Sequence, residues 1–172
     1  AALDKADNNN INLDLLELSI WYNSSSNWRI PYIMFDATVT QSLDQSDELY
    51  IVGGYTSSIN KIWRKILKSD LKAKKNQWVE LPNFTIPLHF ASTHMGLSLY
   101  NKRLYMFSGQ LDYGCGPATH ACAYLNLKTM QWIKLPDLPE ARYASRVIIS
   151  NDFVHLFGGT KPDRITPAFD YW

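Results

Sequence analysis

The side chains whose types and spacing could do chemistry gather in one loop, Gln110-Leu111-Asp112-Tyr113-Gly114-Cys115-Gly116-Pro117-Ala118-Thr119-His120-Ala121-Cys122. Cys115, His120 and Cys122 offer three soft or borderline ligands. Zinc takes four, and this spacing matches no zinc knuckle, so no metal site is assigned. Cys115 and Cys122 could instead close a disulfide, which would stabilise by about 2–3 kcal/mol in a chain-entropy view. Two free thiols, with Cys122 buried on a strand, are the other reading. Gln110 and Asp112 open the loop and are candidate binding residues. Arg142 and His89 are two more, and the Arg142 guanidinium can make forked hydrogen bonds to carboxylates. A structural bond from Arg142 to nearby loop carbonyls is the alternative. No nucleophile elbow surrounds any serine, and no glycine-rich phosphate loop is present. His94 and His155 sit in apolar strand patterns and read as core histidines.

These residues belong to a repeat of roughly 50 to 55 residues. Leu49-Tyr50-Ile51-Val52 runs into Gly53-Gly54. Leu104-Tyr105-Met106-Phe107 runs into Ser108-Gly109, and Phe153-Val154-His155-Leu156-Phe157 runs into Gly158-Gly159. A second landmark keeps step: Trp78-Val79-Glu80-Leu81-Pro82 returns as Trp132-Ile133-Lys134-Leu135-Pro136, after a degenerate Trp28-Arg29-Ile30-Pro31. The run before each diglycine has the apolar, β-branched and aromatic character of a strand buried on both faces. Ala121–Leu127 reads as a third strand, Lys128–Met130 as a turn, and Gln131–Leu135 as an outer strand stopped by Pro136. The sequence therefore predicts an all-β architecture of four-stranded antiparallel sheets, each unable to bury both faces alone. The tryptophans fill the gaps between sheets, and Trp78→Ala or Trp132→Ala should cost about 3–5 kcal/mol.

Diglycine followed by a spaced tryptophan resembles the kelch repeat over roughly residues 30–172. The stretch from Ser108-Gly109-Gln110 through Cys115, Trp132 and Ala141-Arg142-Tyr143-Ala144 to Gly158-Gly159 is similar to plant kelch-repeat proteins of the secretory pathway. The resemblance implies a β-propeller in which Gly53, Gly54, Trp78, Gly109, Trp132, Gly158 and Gly159 are architectural. It implies loops before the first strand and between the second and third strands on opposite faces of a channel, with Met34, His89 and Arg142 in equivalent positions. Galactose oxidase, of the same superfamily, uses copper, but Tyr113, His120, Tyr143 and His155 do not match that site, so no cofactor is expected. The expected organisation is a polar lead-in (1–14), a blade tail (15–31), full blades (32–82 and 83–136) and a partial blade (137–172). Propellers take 4–8 blades, so the chain reads as an arc, a fragment completed by further sequence or by another chain.

The formal net charge of +1 lacks the basic excess of a nucleic-acid binder. Lys65, Lys68, Lys72, Lys74 and Lys75 form a local exception, read as a solvated hairpin with a small anion patch as the alternative. No apolar run is long enough to span a bilayer. Asn23 and Asn83 head glycosylation sequons, which agree with a secretory lumen or the extracellular space; the cytoplasm is the alternative. The function expected is non-catalytic recognition of a protein or glycan. A carbohydrate-active or copper-dependent enzyme and a structural subunit are the alternatives.

Overall fold

The computed structural model describes residues 34–35, 37–41, 48–56, 61–70, 72, 78–82, 85–112 and 116–172. The lead-in, the blade tail, Lys74, Lys75, Asn23, Asn83 and Cys115 lie outside them. The described residues form thirteen strands and no helix. Consequently no described helix is long and apolar enough to cross a membrane.

The first blade contains β2 (Thr38–Gln41), β3 (Glu48–Val52), β6 (Ile66–Asp70) and β7 (Val79–Glu80), hydrogen-bonded in that order. The second contains β8 (Gly96–Tyr100), β9 (Arg103–Phe107), β10 (Cys122–Asn126) and β11 (Gln131–Leu135), again in order. The third is a hairpin of β12 (Arg146–Ser150) and β13 (Phe153–Phe157). Its open edge is extended by the backbone of Tyr171 and Trp172. All pairings are antiparallel.

Local chemistry explains the register. Asn101-Lys102 and Asn151-Asp152 join β8 to β9 and β12 to β13, all four at positive φ. That is the type I′ turn, whose twist matches a two-residue hairpin. Between β10 and β11, the Asn126 side chain accepts from Lys128 N and Thr129 N at 2.9 and 3.2 Å. Met130 closes this turn at φ 58°.

Two cores hold the blades together. Tyr50, Val52 and Ile66 of the first blade pack on Leu97, Leu99, Leu104, Met106 and Leu125 of the second. Phe107 and Cys122 on the second blade's other face pack on Val147, Ile149 and Leu156 of the third. The third blade's outer face shows Ile148 and Phe157 to solvent, as it would with nothing packed on it.

Trp132 packs on the first of these cores, 6.1 Å from Phe90 between ring centroids. It is half-buried, and its Nε1 is buried without a hydrogen-bond partner. Both features reduce what the side chain contributes relative to full burial. Trp132→Ala is therefore expected to cost about 2–3 kcal/mol in urea unfolding, below the cost from sequence alone. Trp78 is also half-buried and lies just ahead of β7.

Two histidine expectations need correcting. His94 is in a left-handed turn ahead of β8 (φ 53°), half-buried, with Nδ1 3.1 Å from Thr93 Oγ1. His155 lies on β13, half-buried, bonded to the Tyr171 hydroxyl and stacked on its ring. Apolar neighbours in sequence did not bury either ring, because one residue turns and the other sits on the uncovered face. In the lysine-rich hairpin, Lys65 pairs with Glu80 and Lys68 with Glu48. Those two ammoniums are matched to carboxylates.

Candidate functional site

Strand register places the loops. Thr38 pairs with Val52, Gly96 with Phe107 and Arg146 with Phe157, so each inner strand begins where the second strand of its blade ends. The third strand begins there too, with Ile66 opposite Val52 and Cys122 opposite Phe107. Loops before the first strand and between the second and third therefore share one end of the sheets. This corrects the opposite-face expectation, and antiparallel pairing is the reason.

At that end each blade carries a short three-rung ladder. In the first, β1 (Met34–Phe35) pairs with β4 (Tyr55–Thr56), which pairs with β5 (Lys61–Ile62). Thr93, Gln110 and Ala118 repeat it in the second blade; Tyr143, Thr160 and Pro167 repeat it in the third. The ladder aligns Met34 with Ser92 and Arg142. Backbone bonds agree, since Gly54 N donates to Ser92 O at 2.7 Å and Gly109 N to Arg142 O at 2.8 Å. His89 is three residues too early to be equivalent. Instead it lies exposed on the linker, its ring 4.1 Å from that of Phe90.

Arg142 is only 1% exposed. Its guanidinium bonds the carboxylates of Glu140 and Asp170 and lies 4.4 Å from the Trp172 ring. The forked donor expected to meet a ligand is thus engaged by the chain itself. Its backbone is anchored as well. Ser108, at the first diglycine position (φ 53°), accepts from Arg142 N at 2.6 Å and donates to Thr119 O at 2.7 Å.

Gln110 and Asp112 come together with two arginines that sequence reading did not single out. Arg164 bonds Gly116 O and reaches Gln110 Oε1 at 3.2 Å, over the Tyr143 ring. The Tyr143 hydroxyl also donates to Gly116 O, at 3.0 Å. Arg64 donates to the carbonyls of Pro87, Phe90 and Leu111 at 3.0, 3.0 and 2.7 Å. Burial lowers its pKa, and the negative charge of Asp112 opposes that. Asp112 is exposed. No sequence motif marks Arg64 or Arg164, because what recruits them is carbonyls from other blades. The resulting edge has a braced polar floor of Gln110, Tyr143 and Arg164, with Asp112 and His89 open to solvent.

The Cys122 thiol is free and buried, 3.5 Å from His120 O. Its expected disulfide partner, Cys115, lies outside the described residues. Burial pushes its pKa up to about 11 from 9.0. A thiol reagent at pH 8 should label it slowly in the folded protein and rapidly after denaturation. Between about pH 9 and 11 the folded state holds a proton that the unfolded state has lost. Stability should therefore fall as pH rises through that window. Among the described residues, no group of three or more His, Cys, Asp or Glu is placed to hold a metal.

No protein-family model matches the chain. It is 30% identical over 131 residues to a kelch repeat-containing protein of Arabidopsis thaliana, covering 76% of the chain and 30% of that protein. Over 111 residues it is 31% identical to kelch repeat protein C2 of cowpox virus, covering 64% of the chain and 20% of the viral protein. The solved structure of YjhT, a kelch-type propeller, superposes with a TM-score of 0.63 at 13% identity, covering 83% of this chain and 43% of that one. The chain thus spans less than half the length of each of these proteins. Repeated four-stranded blades, diglycine junctions and these likenesses agree: the chain is built of kelch repeats and has the fold of a kelch-type β-propeller.

Proposed function

We propose that the chain is a non-catalytic kelch module that recognises another protein through the loop edge carrying Asp112 and His89. One observation carries this reading. The ladder at that edge repeats in all three blades, while its equivalent positions hold unlike side chains: Met34, Ser92 and Arg142, then Tyr55, Gln110 and Thr160. A constant scaffold with varied loops suits one tailored surface. A photocrosslinking side chain at Asp112 or His89 in the full-length protein should capture the partner. One at Thr129, in the turn at the opposite end of the second blade, should not. Equal capture from both ends would count against the reading.

The finer reading places the protein in a secretory lumen, supported by the sequons at Asn23 and Asn83. A glycosidase-sensitive mass that disappears in an Asn23→Gln, Asn83→Gln variant is the expected result; an unmodified chain in cells would argue for the cytoplasm. Recognition of a glycan would show instead as binding to a glycan array, lost on substitution of Asp112.

A further inference from the structure

Each blade turns equivalent side chains toward the blade that follows it in the chain. Val52, Phe107 and Phe157 end the second strands, opposite Thr38, Gly96 and Arg146 of the inner strands. Ile66, Cys122 and Tyr171 stand beside them on the third strands. In the first blade Val52 and Ile66 are wholly buried against the second blade. In the second, Phe107 and Cys122 are 5% and 1% exposed, packed against the third. In the third, Phe157 and Tyr171 are 43% and 57% exposed, with their rings 5.0 Å apart. Ile148 is exposed on the same face, and His155, paired opposite it, stacks on Tyr171. These neighbours make one apolar face of the kind that marks a contact surface.

We propose that this face is an interblade interface, covered in the longer protein by a further four-stranded sheet of the same polypeptide. Three observations select that occupant. Both equivalent faces are already packed on the next sheet of the chain, in the same register. Relatives built of the same repeat have room for further blades, since the likeness covers only 30% of the Arabidopsis protein and 43% of the YjhT chain. Among the described residues, a second copy has no open face of the receiving kind. In the second and third blades that side is packed on the preceding blade, and in the first its Ile51 and Leu67 are already buried.

The covering sheet is not interchangeable with the others. Thr38 and Gly96 line the inner corner of the first two interfaces, and a Cβ on Gly96 would lie 2.5 Å from Val147 Cγ2. The third blade puts Arg146 at that corner, and Ile148 where the second blade has Ser98. A sheet docking there in the same register therefore carries glycine, alanine or serine where the third blade carries Val147, because packed interfaces do not tolerate overlap. The role of Arg146 is steric. This face is separate from the loop edge, so its covering and the recognition proposed there stand or fall independently.

Thiol labelling of the native full-length protein tests the proposal, with Ile148→Cys as reporter in a Cys115→Ser background. Thr129→Cys, in the exposed turn between β10 and β11, is the reference. Ile148→Cys should label about tenfold or more slowly than Thr129→Cys at every protein concentration, and the two should label alike after denaturation. Arg146→Cys is a second reporter on the same face, read in the same way should Ile148→Cys fail to fold. Equal native rates would overturn the proposal. So would protection lost on dilution, which would make the occupant a second copy. The size match is read from the following repeat of the full-length chain: a branched or aromatic residue aligned with Val147 would overturn it.

Discussion

Gly53→Ala should lower the unfolding free energy by about 4 kcal/mol, of which strain from the left-handed backbone is about 1–2 and steric overlap the rest. Gly53 sits at φ +64°, and a Cβ there would lie 1.9 Å from the Ser92 carbonyl oxygen. That carbonyl accepts the Gly54 amide at 2.7 Å, a bond joining the first blade to the second. The added methyl cannot be accommodated by turning a flexible side chain, because it meets backbone. Urea unfolding of the full-length protein is the measurement, and a loss below ~1 kcal/mol would show that the blades can separate there without penalty. The equivalent residue of the second blade, Ser108, makes the comparison informative. It carries its side chain at φ 53° and uses the hydroxyl to bond Thr119 O and Arg142 N. One junction therefore requires a missing Cβ, and the next uses the side chain as a clamp.

Arg142→Ala should cost about 3 kcal/mol and should not be rescued by lysine. The guanidinium is 1% exposed, between Glu140, Asp170 and the Trp172 ring. Removing one partner of a buried pair typically costs ~3–5 kcal/mol. The lower end applies because Glu140 and Asp170 keep roughly 37% and 40% of their side-chain surface in water and can be solvated. Lysine has a single point charge where two carboxylates and a ring face need a planar fork. Loss of stability in Arg142→Ala, measured by denaturant unfolding, would assign Arg142 to holding the Asp170 segment against the third blade. A variant as stable as the parent that fails only in partner binding would restore the recognition role that its periodic position suggests.

How far the sequence went can be judged at particular residues. The strands before Gly53 and Gly109 were legible because buried strands need apolar, β-branched or aromatic runs, and Phe153–Phe157 carries the same pattern although its outer face is exposed. Gln131–Leu135, a half-exposed outer strand, was legible from the returning Trp-x-x-Leu-Pro landmark, with Pro136 marking its end. The candidate site was legible only in part. Gln110 and Asp112 were found through an unusual loop composition. Arg64 and Arg164 were not, since both are defined by carbonyls far away in the chain. His89 was misaligned because counting residues between landmarks cannot see a linker of different length; the ladder at Thr93 and Tyr143 corrected it.

By itself, then, the sequence determined the repeat, the all-β class and the residues that turn and terminate each blade. These depend on local preferences: glycine at positive φ, proline at strand ends, and apolar runs where both faces are covered. Only the tertiary structure decided which polar groups remain available. It closed Arg142 within the third blade and brought Gln110, Tyr143 and Arg164 to one edge. Such pairings depend on which segments meet across blades, and a side chain's type and its place in a repeat do not carry that information.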